Sequence, residues 1–307
     1  MLANSAVRVI NPILTTYVQG YRNGSLIGDA LFPRVPVEIS GGQILEFGKE
    51  AFKLYSTNRA PGGSTKRISF GYLGKPFALK SKSLEAVVPR EHLRDASVVP
   101  GIDLAQRANR LVMNALLLEL EYDQATLATT AANYDASHKI TLAGVTKWSD
   151  AAADPIAQVE TAAEAIRTST GIRPNTLVLS AQAASAARTN TKIRQQFQYT
   201  NADSITNDML ARAFNIKTLA IGDAVTSDDA GVVSDVWGNN AVLAYVPESA
   251  SGLEEPSFGY TYTMNGHPLV EEPYYDNNAK SWIYGVSFER APVLSGITSG
   301  YLFQAVK

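Results

Sequence analysis

Residues 101–134 read GIDLAQRANRLVMNALLLELEYDQATLATTAANY, and their periodicity sets the architecture of the chain. Leu104, Ala108, Leu111, Ala115, Leu118, Tyr122 and Ala125 recur at alternating spacings of four and three, and Val112, Leu116 and Leu127 widen the stripe. That spacing lines one face of a 3.6-residue helix. Asp103 is placed to cap the first turn, with Gln106 three residues on as in a capping box. A helix over 104–128 is about 37 Å long at 1.5 Å per residue. A girder of that length can hold a core and also serve as a spine that carries load between subunits.

Upstream the pattern is different. Residues 31–40, LFPRVPVEIS, are apolar at Leu31, Phe32, Val35, Val37 and Ile39, yet Pro33 and Pro36 fix φ and remove two backbone donors. This predicts an extended arm, neither a helix nor a central strand. Two strand-like stretches follow, QILEFGKEAFKLYS (43–56) and KRISFGYLGKPFALKSK (66–82), joined by the turn cluster TNRAPGGST (57–65). Together they read as a long two-stranded loop. Such a ribbon is barely stable alone, so both it and the arm need a surface beside them.

Downstream, DPIAQVETAAEAIRTSTG (154–171) predicts a second helix, with Asp154 as N-cap, Pro155 in the first turn and Gly171 closing it. RPNTLVLS (173–180) reads as a buried strand, AQAASAARTN (181–190) as a small-residue helix and SITNDMLARAFN (204–215) as another helix. HKITLAG (138–144), IKTLAIGDAV (216–225), NNAVLAYVP (239–247), FGYTYTMNGHPLVEEPYY (258–275) and AKSWIYGVSFERAPVL (279–294) are strand candidates. Helices and strands mix without regular βαβ alternation, which favours an α+β fold over a doubly wound sheet.

The chain has 307 residues, 45% hydrophobic and 18% charged, with a formal net charge of -2. That composition supports a sizeable core and argues against disorder and against a protein whose main task is gripping phosphates. There are no cysteines, which removes disulfides, thiolate zinc sites and cysteine nucleophiles. No signal peptide or membrane span is legible, so the expectation is a chain kept on the cytosolic side, with no membrane partner. Charge is distributed unevenly. Residues 49–94 hold ten basic and three acidic side chains, whereas 240–289 hold seven acidic and one basic. Those two regions could pair within one chain or between copies.

A search for chemistry finds no constellation. His92, His138 and His267 are far apart and in no ligand motif. SGITSG has the wrong spacing for a nucleophile elbow, and GGSTKR and GYLGKPF are not in phosphate-loop order. The pairs Asp228–Asp229, Glu254–Glu255 and Glu271–Glu272 lack a calcium-loop pattern and read as solvated acids. Tyr260, Tyr262, Tyr274 and Tyr275 could stack on bases, but strand tyrosines more often pack. No catalytic, cofactor or metal site is expected, and the chain does not read as an enzyme.

Three stretches in order carry a resemblance: LFPRVPVEISGGQILEFG (31–48), WSDAAADPIAQVETAAEAIRTSTGIRPNTLVLSAQAASAAR (148–188) and FGYTYTMNGHPLVEEPYYDNNAKSWIYGVSF (258–288). The chain resembles the major capsid (coat) proteins of tailed bacteriophages, with the Hong Kong 97-type fold. The resemblance implies an N-terminal arm (1–47), an extended E-loop (48–90), a peripheral domain (91–149 and 256–307, with the spine helix at about 103–128) and an axial domain (150–255). It implies a structural protein that self-assembles into pentamers and hexamers as an icosahedral head around double-stranded DNA, without sequence-specific binding. Implied partners are a separate scaffolding protein, a portal protein at one vertex and a decoration protein. The implied location is the virion capsid, assembled in the host cytoplasm. In that family the arm and E-loop lie across neighbours, so Leu31, Phe32, Val35, Arg59, Lys66 and Arg67 are the candidate intersubunit contacts. An encapsulin-like compartment shell is the alternative; a soluble hydrolase and a DNA-binding module are the remaining readings.

Overall fold

A computed structural model describes residues 26–46, 58, 73–96, 103–197, 205–247 and 257–307. In chain order its strands are β1 (Arg34–Val37), β2 (Gly41–Glu46), β3 (Leu73–Ala78), β4 (Lys80–Pro89), β5 (Lys139–Thr141), β6 (Thr176–Ser180), β7 (Thr218–Gly222) and β8 (Val225–Ser227). They continue with β9 (Val233–Asp235), β10 (Asn240–Ala244), β11 (Gly259–Met264), β12 (Leu269–Val270), β13 (Tyr274–Asp276), β14 (Ser281–Leu294) and β15 (Gly300–Gln304). The α-helices are α1 (Arg90–Ala96), α2 (Leu104–Thr129), α3 (Pro155–Thr170), α4 (Ala181–Thr189), α5 (Thr191–Gln196) and α6 (Asn207–Ala213). The expected α+β class holds.

The long helix α2 forms where its periodicity placed it. The Asp103 carboxylate accepts from the backbone N–H groups of Ala105 and Gln106 at 2.9 and 3.1 Å, satisfying two of the first turn's free donors. The buried face, however, is not the stripe read from spacing. Val112, Met113, Leu116, Leu117 and Leu120 face the core together with Asn109, Glu121 and Gln124, while Leu111 and Tyr122 face solvent. The helix is apolar over more than half its circumference, so periodicity alone did not choose the side. Polar groups held by partners across the chain did.

Strand β14 organises a six-stranded sheet. One edge pairs with β4 along its length, from Ser281↔Pro89 to Arg290↔Lys80. The other edge pairs in turn with β13, β12 and β11, all antiparallel. β1 adds in parallel to the outer side of β11, with Val35 opposite Tyr262. An edge position tolerates the two prolines, because the bonds run from Thr261 N–H to the Pro33 carbonyl and from Asn265 N–H to the Val37 carbonyl. Helix α2 packs on this sheet through Met113, Leu116 and Leu120 against Val270, Val286 and Phe288.

A five-stranded mixed sheet, ordered β5-β15-β10-β6-β7, forms the second layer. Alternation along its strands buries both faces. Leu177, Leu179, Leu243 and Phe303 point to α3–α6, joining Val159, Ile166 and Leu210. Val178, Val242 and Leu302 point the other way, to Leu31, Phe32, Ala125, Trp237 and Phe258. α3 has the Asp154 cap, the first-turn Pro155 and Gly171 at φ 75° that its sequence predicts. Two strands of this sheet, β5 and β15, come from outside 150–255.

β2 and β3 form a separate antiparallel ribbon, Gly41↔Ala78 to Glu46↔Leu73. Arg59, Lys66 and Arg67, between these two strands in sequence, lie outside the described residues.

Candidate assembly surfaces

The arm meets the body at a buried carboxylate. Glu121, on α2, accepts the backbone N–H of Ile27 (3.0 Å) and the indole N–H of Trp237 (2.7 Å) at Oε1, and the N–H of Gly28 (2.8 Å) at Oε2. Next to it, Gln124 donates to Thr261 Oγ1 at 2.9 Å. A side chain at Gly28 would collide with the Gln124 carboxamide, so glycine alone allows the arm this close to the helix. Burial pushes the Glu121 carboxyl above its ordinary pKa; the Ile27, Trp237 and Gly28 donors oppose that shift without cancelling it.

Leu31 and Phe32 follow immediately and are wholly buried in their own subunit. Phe32 lies 5.5 Å from the Phe258 ring and covers Gly259 so closely that a Cβ there would approach the Phe32 ring to 2.5 Å. Val35 packs with Tyr260 and Tyr262. Leu31, Phe32 and Val35, expected as intersubunit contacts, are thus packed within their own chain. The arm threads between α2 and the five-stranded sheet, and its apolar side chains complete that core.

The charges also settle differently from the simplest pairing. Glu119 on α2 takes Lys82 Nζ at 2.6 Å and Arg290 Nη2 at 3.2 Å. Arg290 is buried over the Phe288 ring, 4.9 Å from its centroid. Desolvation lowers its pKa to about 10, against the pull of Glu119, so it stays charged at neutral pH. Lys82, from the basic segment, thus finds its carboxylate on the spine helix and not in the acidic C-terminal region. That region keeps its charge. Tyr274 donates to Glu85 at 3.4 Å, Ser287 donates to Glu271 at 2.7 Å, and Glu85, Asp276 and Glu271 together raise the Tyr274 pKa beyond the effect of burial. An acidic patch centred on an exposed tyrosine results.

Of the histidines, His92 is exposed, His138 is buried beside Ser137, and His267 accepts the Glu289 N–H at 3.2 Å. Tyr260 and Tyr262 are packing residues; Tyr262 stacks on Phe77 at 4.4 Å. Among the described residues no group of three His, Asp or Glu could hold a metal ion, and no helix is long and apolar enough to cross a membrane. Sequence reasoning missed Glu119, Glu121, Gln124, Trp237 and Arg290. The available signal was LLLELEY (116–122), where two glutamates interrupt an apolar run. An acid inside such a run needs donors that only the fold supplies.

Comparison with known proteins places this geometry. The family model for Phage major capsid protein E matches residues 107–257. The chain is 34% identical over 307 residues to the major capsid protein of Burkholderia phage BcepMu, covering 98% of each. It superimposes on the crystal structure of a phage-related protein from Bordetella bronchiseptica RB50 with a TM-score of 0.85 and 48% identity, over 98% of both chains. The capsid protein of cyanophage P-SCSP1u matches at a TM-score of 0.58 and 10% identity, over 99% of this chain and 92% of that one, and shows the fold alone. A spine helix laid across a sheet, a separate two-stranded ribbon and a second mixed sheet make up the Hong Kong 97-type fold. The chain belongs to the phage major capsid protein family, and its role is that of a structural protein of the virion capsid.

Proposed function

We propose that this chain is the repeating subunit of an icosahedral head, gathering into pentamers and hexamers that close around double-stranded DNA. One observation supports this above the others: β2 and β3 pair only with each other among the described strands. A ribbon of that kind gains its stability from a surface it lies on. In this reading its basic tip, with Arg59, Lys66 and Arg67, settles on the acidic patch around Tyr274 of a neighbour. Complementary charge of this sort sets the register of subunits more than their affinity. Each good interface needs about 800 Å² per partner.

In the same reading residues 1–47 are the arm, 48–90 the E-loop, 91–149 and 256–307 the peripheral domain, and 150–255 the axial domain facing the capsomer centre. Assembly takes place in the host cytoplasm with a separate scaffolding protein, a portal protein at one vertex and a decoration protein on the finished head. The chain contributes no catalysis.

Size-exclusion chromatography and negative-stain microscopy of the expressed protein test this reading. Capsomers or closed shells are expected, filled with nucleic acid when made in infected cells. A persistent monomer in the presence of lysate partners would overturn it, and shells filled with an enzyme would point to a compartment instead.

A further inference from the structure

β8 and β9 pair only with each other among the described strands, forming a hairpin between the edge strand β7 and β10. Their register, Val225↔Asp235 and Ser227↔Val233, sets Val225 and Val233 on one face. Val225, Val232 and Val233 are 49%, 61% and 62% exposed. Single exposed apolar residues are ordinary, but three grouped on one short hairpin form a patch of the kind that meets a partner.

Charge indicates what that partner is. Residues 222–236, which hold the hairpin, carry Asp223, Asp228, Asp229 and Asp235 and no base. Helices α4, α5 and α6 carry Arg188, Lys192, Arg194 and Arg212 against the single acid Asp208. All four bases are exposed, and among the described residues neither they nor the four hairpin acids form an ion pair. The basic side is firmly built. Arg188 donates to Asn207 Oδ1 at 2.7 Å, tying α4 to α6, and the Asn190 carboxamide oxygen caps α5 at the N–H groups of Lys192 and Ile193.

Topology keeps the two sets apart within one chain. α6 leads into β7 and the hairpin follows it, so they sit at opposite ends of a strand about 16 Å long at 3.3 Å per residue. Asp235 meets its own helices through Gln182, at the end of α4 away from Arg188. An acidic, apolar hairpin and a basic helical layer, each unpaired in its own copy, are complementary between copies. Phe197, directly after α5 and partly buried, offers the valines an apolar counterpart.

We propose that the β8–β9 hairpin of one copy seats on the α4–α6 layer of a second copy of this chain. The two patches differ, so the contact is head-to-tail and closes into a ring when repeated. It rests on the reading that copies gather into capsomers, and it names the surfaces that join them.

The absence of cysteine makes disulfide mapping free of background. Ala230→Cys and Gln195→Cys, both at exposed positions, would be combined in one chain and oxidised at high protein concentration. The control pairs Ala230→Cys with Leu111→Cys, exposed on α2. A ladder of covalent oligomers is expected, forming at least ~10-fold faster than in the control. Equal rates, or a disulfide confined to one chain, overturn the proposal. Charge supplies a second measurement in the same cysteine background. Lys192→Glu with Arg194→Glu should slow the ladder several-fold, and adding Asp223→Lys with Asp229→Lys to that chain should recover part of the rate. All four sites are exposed, so the melting temperature should stay at that of the parent. A rate unmoved by the first reversal, or not recovered by the second, likewise overturns the contact. Ladders without closed shells would uphold this contact and remove the icosahedral head, whereas closed shells without ladders would do the reverse.

Discussion

The indole N–H of Trp237 donates to the Glu121 carboxylate at 2.7 Å, joining residues 116 positions apart. Trp237 belongs to the core beneath the five-stranded sheet, Glu121 to the spine helix, and the same carboxylate receives the arm at Ile27 and Gly28. Three parts of the subunit thus converge on one buried acid. Glu121→Ala leaves three donors without an acceptor and should cost ~3 kcal/mol or more, at ~1–3 kcal/mol for each buried group stranded. Trp237→Phe keeps most of the volume and should cost ~1–3 kcal/mol. Urea titration of each variant checks both values, and a Trp237→Phe protein as stable as its parent would remove the bond from the account.

The same acid makes a pH prediction. Burial holds the folded-state pKa of Glu121 above its unfolded value, so the folded state binds the proton more tightly. The stability this confers is complete below the unfolded pKa of about 4.3 and is lost as pH rises through the folded value. Glu121→Gln cannot titrate. The stability difference between parent and Glu121→Gln should therefore fall as pH increases from about 4.3, and denaturant titrations of both across that range measure it directly. A difference that grew with pH would mean the three donors outweigh desolvation.

Much of this architecture was legible in the sequence because it rests on local signals. Caps at Asp103 and Asp154, the stop at Gly171 and the alternation of Leu177, Val178 and Leu179 depend on neighbours within a few residues. The arm was harder. Pro33 and Pro36 correctly excluded a central strand, but apolar Leu31 and Phe32 look the same whether their cover is their own subunit or another. The buried side of α2 was likewise undetermined, since the choice is made by Glu121 and Gln124 meeting donors and acceptors at residues 27, 28, 237 and 261. Long-range polar contacts leave no periodic trace.

Gly28 tests how tightly the arm is fitted. An added methyl meets the Gln124 side chain, and a shift of either breaks the Gln124–Thr261 bond or the Gly28–Glu121 bond. Gly28→Ala should lower stability by ~1–3 kcal/mol, as overpacking does. Combining it with Gln124→Ala should recover part of that loss, because the two changes share one space. Additive losses in thermal melts would place the strain elsewhere.

Truncation separates the two halves of the arm. Residues 26–40 supply Leu31, Phe32 and β1 to the subunit's own core, so removing residues 1–40 should abolish cooperative unfolding. Removing residues 1–25 should leave a folded body with a sharp melt. Circular dichroism and calorimetry on the two proteins distinguish the outcomes. A well-folded 41–307 fragment would show that the arm's core contacts are dispensable.

The ribbon is the surface on which assembly itself can be tested by charge. Arg59, Lys66 and Arg67 are three of the five basic residues between β2 and β3 in sequence, and Glu85, Glu271 and Asp276 gather the negative charge around Tyr274. Reversing the three bases to Glu should impair assembly well before it lowers the melting temperature, because exposed charges contribute only ~0–1 kcal/mol each to a folded subunit. A neighbour, in contrast, meets that reversal at many equivalent sites in one shell. Reversing Glu85 and Asp276 to Lys should weaken assembly in the same way. Mixing the two reversed proteins decides the point, since the ribbon of each finds opposite charge only on the other, and neither is complementary to itself. Co-assembly of the pair, read as particles by sedimentation where each alone stays small, would establish ribbon-to-patch contact between copies. If the mixture fails to assemble while each monomer remains folded, the ribbon's charge finds its counterpart somewhere other than the Tyr274 patch.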